Sequence, residues 1–350
     1  MSHEALLTEG YRRCTKITWR YGTTYFWGAA LLAKPQRKHV YAVYALCRLA
    51  DDIVDLPNGR HPRAPNPDPG GDQLGAPGEE PESIPKEPDP TLPEDIDPED
   101  IDRQAAVSDQ LKAFAEDFRT SLAAGGSTDP VMAAIVHTVI TCRIDPECFD
   151  RFFDAMAMDL TTTTYQTWED LRDYMEGSAA VIGEMMLPVL EPINMAAKAP
   201  ARSLGLAFQL TNFLRDVAED LDRGRVYVPQ DDLRLFDVDL ERREVTPQWR
   251  ALMAYEIERN RALYSFADTG IAMLPLRSAR CVGTARVLYA QILDQIERKG
   301  YDVFSGRARV PTWRKATTAA RIMVTGPRTL KREAEAYQRR SMADVTQDTY

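Results

Sequence analysis

No run of 18 or more apolar residues occurs in this 350-residue chain, so no segment of it reads as a bilayer-spanning helix. The opening MSHEALLTEGYRRC is polar and lacks the apolar stretch of a secretion signal, and the expectation is a protein neither exported nor inserted. Cysteine spacing of the CxxC kind is missing too. The five cysteines, Cys14, Cys47, Cys142, Cys148 and Cys281, are odd in number and scattered, which excludes a zinc or dithiol redox motif and reads as reduced thiols in a cytoplasmic protein. There is no basic excess: the net charge is −10, so nucleic acid is not an expected partner. Strand-like alternation is scarce, no repeat of fixed period is present, and no glycine-rich dinucleotide fingerprint follows a strand.

The acid is not spread evenly. Between Pro57 and Arg103 stand 13 acidic and 4 basic side chains, a net of −9 that leaves the remainder almost neutral. The same stretch holds 12 of the 23 prolines and few aliphatic residues, so it cannot bury enough apolar surface to offset its ordering entropy. Residues 57–102 are expected to form a disordered insertion, tolerated because loop closure costs little more as a loop lengthens. Elsewhere apolar residues recur at helical spacing through Val107 to Leu122, Val131 to Thr141, Phe149 to Asp159, Trp168 to Leu190, Arg202 to Leu221, Gln248 to Met273 and Ala279 to Lys299. Breaks are expected at Gly125 to Pro130, Glu191 to Pro200 and Arg223 to Asp232. The composition, 44% hydrophobic, suffices for one large all-α domain over residues 1–325 with a tail at 326–350.

Two acidic clusters carry the chemistry, DDIVD at Asp51 to Asp55 and NFLRDVAED at Asn212 to Asp220. Residues four apart share a helix face, so Asp51 with Asp55 and Asp216 with Asp220 each offer two oxygen ligands aimed the same way. Mg²⁺ is typically held by one or two carboxylates plus substrate phosphate oxygens, which makes the pattern that of a metal-bridged diphosphate site, with Mn²⁺ as a substitute ion. Tyr44, Arg48, Asp51 and Asp55 fall within an arc of about 60°, with Ala42, Leu46, Leu49 and Ile53 behind them. Gln209, Asn212, Asp216 and Asp220 span roughly 80°, with Leu210, Leu214, Val217 and Leu221 turned away. The plainer account is two solvated faces laced by Arg48 to Asp52 and Arg215 to Glu219 bridges at i,i+4 spacing. Two such clusters, each with an embedded arginine, favour the site.

YAVYALCRLADDIVD followed far downstream by QLTNFLRDVAEDLDRGRVYVP resembles the squalene and phytoene synthase family of head-to-head prenyltransferases. MDLTTTTYQTWEDLRDYMEGSAAVIGEMMLPVL is similar to the family's central helices, and ARVLYAQILDQIERKGYDVFSGRARVPTWRK to the end of bacterial phytoene synthases. The resemblance covers roughly residues 20 to 320 outside the insertion, and implies an isoprenoid-synthase helical bundle with a central cavity. By it, Asp51 and Asp55 are one metal-binding pair and Asn212, Asp216 and Asp220 the second ligand group, with Asp52 off the main arc. Arg48, Arg215 and Arg225 match diphosphate-contacting arginines, and Tyr44, Tyr174 and Tyr227 match tyrosines around the reacting carbons, with Tyr227 also expected to pack. Gln209 and Asp159 match polar positions of the pocket. Tyr289 and Arg307 are expected to close its diphosphate end. Thr24 and Tyr25 stand, with Thr23 and Phe26, where the family often has Ser-Phe, and keep hydroxyls available to phosphate. The small residues Gly177, Ser178, Ala179, Ala180 and Gly183 would let an isoprenoid pass close to the backbone, or serve close helix packing.

The implied reaction joins two geranylgeranyl diphosphates through a cyclopropyl diphosphate and rearranges that to phytoene. The competing readings are a farnesyl diphosphate coupler making squalene, dehydrosqualene or hydroxysqualene, a cyclase or chain-elongating enzyme, and a non-catalytic helical scaffold. Greasy substrates and product imply peripheral contact with the inner membrane surface. Oligomeric state is not legible.

Overall fold

The computed structural model describes residues 2–22, 26, 28–55, 98–307 and 317, with the backbone alone at 55 and 98–103. The expected tail at 326–350 and nearly all of the expected insertion lie outside the described residues. Among these residues every named element is helical, and one isolated bridge pairs Thr164 with Val226. Numbered in chain order, the α-helices are α1 (His3–Tyr21), α2 (Lys34–Asp55), α3 (Pro98–Ala123), α4 (Pro130–Cys142), α5 (Glu147–Met158), α6 (Trp168–Met175), α7 (Val181–Leu190), α8 (Lys198–Asp222), α9 (Gln230–Leu235), α10 (Pro247–Ile271) and α11 (Leu276–Arg298).

Local chemistry sets where they begin. Ser2, Asp129, Thr167 and Thr246 cap α1, α4, α6 and α10 with side-chain oxygens that accept backbone N–H groups. At α6 the Asp170 carboxylate returns the bond to the Thr167 amide, completing a capping box. Proline opens α4 and α10, where its missing N–H costs nothing.

The short helix α9 starts inside the expected break from Arg223 to Asp232, and three further outcomes differ from expectation. The polar opening segment, to which periodicity assigned no element, is helix α1, held by its cap and by a buried stripe of Gly10, Tyr11, Cys14 and Thr18. Helix α3 starts at Pro98, inside the stretch assigned to the insertion, because proline followed by Glu99 and Asp100 suits a helix start. The helix expected to run unbroken from Trp168 to Leu190 contains a π-helical turn at Glu176–Ala180. Small residues permit that wider turn. A side chain at Gly183 would collide with the Ala201 carbonyl oxygen on α8, and one at Gly205 with the Ala179 carbonyl oxygen. Gly177 faces α5 at Arg151 and Ala155 in the same way. The glycines of this stripe therefore serve helix packing, and the reading of Gly177 and Gly183 as an isoprenoid wall gives way to it.

The core has two halves. One gathers buried side chains of α1 to α5 and α7, including Leu46, Phe118, Phe152 and Met185; the other gathers those of α6, α8, α10 and α11, including Leu210, Trp249, Ile257 and Ile296. Helix α8 packs on α7, α10, α11 and the π turn, whereas α2 packs on α1, α3, α4, α5 and α7. The two acid-bearing helices thus belong to different halves of the bundle.

Candidate active site

Helix α2 is two-faced as its sequence requires. Ala42, Ala45, Leu46 and Ala50 are fully buried, while Tyr44, Arg48 and Asp51 are half-buried along the other side. The Arg48 guanidinium lies 4.5 Å from the centre of the Tyr21 ring on α1 and pairs with Asp52. That is the i,i+4 bridge of the plainer account, and it leaves Asp51 on the polar arc. Asp55 ends the helix, and its side chain lies outside the described residues, as do Thr23, Thr24 and Tyr25.

Helix α8 repeats the design more deeply. Leu210, Leu214 and Val217 are buried behind Gln209, Asn212, Asp216 and Asp220, and the Gln209 side-chain oxygen accepts from Asn212 Nδ2 at 3.5 Å. The expected bridge from Arg215 to Glu219 gives way to another arrangement. Arg215 forks onto Asp216, with Nε to Oδ1 at 2.7 Å, and Arg307 forks onto the same carboxylate from 91 residues away, with Nε to Oδ1 at 2.6 Å. Glu219, more exposed, meets Arg307 at 3.5 Å. A carboxylate with two guanidinium forks gains more charge-assisted bonding than a partly solvated glutamate offers.

Two aspartates one turn apart are consequently opposites. Burial alone would raise Asp216, but Arg215 and Arg307 outweigh it and hold the group below the usual carboxylate range. Asp220 is 9% exposed and accepts no side-chain hydrogen bond among the described residues. Its burial, then the Asp216 charge, push it up to about 7 against the pull of Arg223 and Arg225.

The halves meet at Tyr289 of α11. Its ring lies 4.4 Å from that of Phe208 on α8. It is close enough to Tyr44 to add to the upward shift that burial gives that phenol, and close enough to Arg215 to strengthen its protonated form. Tyr44, Arg215, Asp216, Tyr289 and Arg307, spread over 263 residues of sequence, form one neighbourhood.

A second group sits beside it. Asp159 Oδ2 accepts from the Tyr174 hydroxyl at 2.7 Å and Oδ1 from that of Tyr227 at 3.4 Å, while its carbonyl accepts from Arg225 Nη2 at 3.4 Å. Tyr227 stacks on Phe213 with ring centres 3.9 Å apart, and Tyr174 and Tyr165 pack around the pair. Tyr174 is 1% exposed, so it is expected to act through this packed cluster rather than from an open wall. Tyr227 packs, as expected. Phe213, Tyr165 and Tyr21 were missed: Phe213 adjoins Asn212 in the second motif, but Tyr165 and Tyr21 come from elements whose approach no local spacing reveals.

Among the described residues no three acidic, histidine or cysteine side chains stand close enough together to hold a metal ion. Of the expected five-residue ligand set, Asp216 is engaged by two guanidinium groups and the Asp55 side chain lies outside the described residues. A groove of about 590 Å³ runs between α9 and the start of α10, and a small one lies at the foot of α8 against Asp220, Arg225 and Tyr227.

The arrangement, a bundle without strands among the described residues and presenting two acid-bearing helix faces, defines an isoprenoid-synthase type of helical fold. Residues 19–314 match the sequence model of the squalene/phytoene synthase family, and the chain belongs to that family. It is 33% identical over 331 residues to the phytoene synthase of Arthrospira platensis, covering 90% of this chain and 93% of that protein. It is 32% identical over 327 residues to the 15-cis-phytoene synthase of Synechococcus elongatus, covering 89% and 91%. Among solved structures, a squalene synthase from Alicyclobacillus acidocaldarius superposes with a TM-score of 0.65 at 28% identity, covering 85% of this chain and 96% of that one. A ligand-bound dehydrosqualene synthase gives a TM-score of 0.70 at 22% identity, covering 97% and 99%, and speaks for the fold alone.

Proposed function

We propose that this prenyltransferase is a phytoene synthase, joining two geranylgeranyl diphosphates head to head through a cyclopropyl diphosphate and releasing diphosphate, as a step of carotenoid biosynthesis. The observation that carries the reading is the likeness, over nine-tenths of the chain, to proteins named phytoene synthase. It is supported by two polar helix faces whose Tyr44 and Arg215 both feel the Tyr289 phenol.

The residues fit a divalent cation. Asp220 is a buried carboxylate without a hydrogen-bond partner among the described residues and is opposed by Asp216, an imbalance that a nearby positive ion relieves. Asp51 and Asp55 on one helix, and Asn212, Asp216 and Asp220 on the other, would hold Mg²⁺ or Mn²⁺, with diphosphate oxygens completing the shell. Bound there, the ion supplies Lewis-acid charge to the departing diphosphate.

The chain's own residues do the rest. Arg48, Arg215, Arg225 and Arg307 aim fixed positive charge at phosphate oxygens, where planar guanidinium forks match the geometry. Arg307 and Arg215 keep Asp216 ionised despite its burial. Tyr44 would offer its ring to an allylic cation, and the packed Tyr174, Tyr227 and Phe213 would support the site as a dry, π-rich layer. Asp159 fixes the hydroxyls of Tyr174 and Tyr227, so those rings are held rather than free to rotate. Gln209, Thr24 and Tyr25 complete the substrate contacts. Loss of a proton from the rearranged cation gives phytoene. Because substrates and product are lipids, the enzyme works in the cytoplasm as a peripheral protein of the inner membrane face.

A farnesyl-derived product is the second reading, favoured by the 28% identity to a squalene synthase. Incubating purified protein with each prenyl diphosphate, with and without Mg²⁺, and extracting the hydrocarbons separates them. Phytoene from geranylgeranyl diphosphate is expected only with the ion; turnover of farnesyl diphosphate alone overturns the assignment.

A further inference from the structure

Three strongly exposed apolar side chains share one end of the bundle. Ile193, 73% exposed, and Met195, 66% exposed, stand on the loop between α7 and α8, and Leu276, 56% exposed, opens α11. The Ile193 amide donates to the Met273 carbonyl at 2.8 Å, which joins that loop to the turn between α10 and α11. Gln36 donates to the Val189 carbonyl at 3.5 Å, bringing the first turn of α2 to the same end. Exposed Lys34, Lys198 and Arg277 belong to these segments. Lys198 also reaches Glu184 at 2.7 Å, and Glu191 is the acid of the loop.

This end has a fixed relation to the acids. Helices α2 and α8 both begin here and both carry their carboxylates toward the far end, so Lys34 to Asp51 and Lys198 to Asp216 each span about 26 Å of helix. The molecule has a basic, apolar pole and an acidic one.

We propose that this basic, apolar pole docks on the surface of an anionic lipid bilayer, with Ile193, Met195 and Leu276 in the headgroup layer and Lys34, Lys198 and Arg277 against lipid phosphates. The proposal deepens the reading of lipid substrates given above and rests on it for its purpose, not for its geometry. Three side chains on two loops form too small an apolar patch for a stable dimer, which buries about 1,600 Å². A few apolar side chains flanked by cations do suffice for peripheral lipid binding.

Flotation of the full-length protein with vesicles of phosphatidylcholine alone, or mixed with phosphatidylglycerol, tests this. Wild type is expected to float with the anionic vesicles and to detach as salt rises. The triple variant Ile193→Asp, Met195→Asp, Leu276→Asp is expected to lose about tenfold in partitioning. Leu235→Asp, which removes a 70% exposed leucine on α9, is expected to change nothing. Should the triple variant misfold by circular dichroism, Lys34→Glu with Arg277→Glu replaces it and is expected to abolish the preference for anionic vesicles. Equal flotation of variants and wild type overturns the proposal. So does a wild type that ignores vesicles, including one that dimerises through this face. Hydrocarbon formation from detergent-dispersed substrates is read in parallel: its loss in wild type with docking intact refutes the enzymatic reading and leaves the docking surface standing.

Discussion

The two acid clusters have the same spacing and live in different surroundings. On α2 the embedded arginine turns to Asp52, off the polar arc, and leaves Asp51 beside the phenol of Tyr44. On α8 the embedded arginine turns onto the arc itself, and a second guanidinium from beyond α11 joins it on Asp216. One cluster is a half-buried end of a helix; the other lies in a helix packed by α7, α10, α11 and the π turn, and its Asp220 is buried. Equal spacing in sequence therefore fixes which way carboxylates point, while burial and the count of nearby guanidiniums fix whether they are charged.

That contrast can be broken most forcefully by removing the acids. Asp51→Ala and Asp216→Ala are each expected to lower turnover by at least about a hundredfold, with the far-ultraviolet helical signal unchanged, since on the proposed reading each deletes charge that organises the transition state. Retained activity in either would reject its metal role. Arg307→Ala is expected to cost about tenfold in turnover, with Arg307→Lys recovering only part of it, because an ammonium cannot fork onto a carboxylate or a phosphate. Full recovery with lysine would show that charge alone matters there. Asp52→Asn is expected to leave turnover near wild type and to change stability by about 1 kcal/mol or less, the range of a partly solvated helix bridge.

A third buried acid separates the effect of burial from that of the site. Glu256 on α10 is 1% exposed, shares Arg259 with Asp232, and is pushed up to about 8, chiefly by burial and in spite of Arg259. Its folded value lies above the ordinary 4.5, so the folded state binds the extra proton between those limits. Its contribution to stability is whole below about pH 4.5 and is lost as pH rises toward 8. Glu256→Gln, which keeps the shape without the charge, is expected to flatten denaturation midpoints measured from pH 5 to 8; an unchanged slope would show that the carboxylate is already ionised in the folded protein.

Much of the architecture was legible because helical periodicity is local. The stretches from Val107 to Lys299 were placed to within a few residues, apart from helix α3, which begins nine residues before the periodicity that marked it, and the short α9, which no stretch contained. Helix α1 escaped because its face is mostly polar, and the π turn escaped because a one-residue widening barely disturbs apolar spacing. At the site, side-chain direction on α2 and α8 could be computed from 3.6-residue geometry. What Arg215 and Arg307 would hold could not, since that depends on a contact 91 residues long. The same limit hid the seat of Arg48 on Tyr21, a ring brought in by a different helix.

The seams at Gly183 and Gly205 carry a lesson for anyone wishing to redesign the product. Both helices there touch backbone to backbone, without the cushion a side chain would provide. Bulkier replacements at either position would pry apart the two halves of the scaffold instead of trimming the chamber. Directed libraries aimed at chain-length preference are better spent elsewhere, leaving these close contacts untouched.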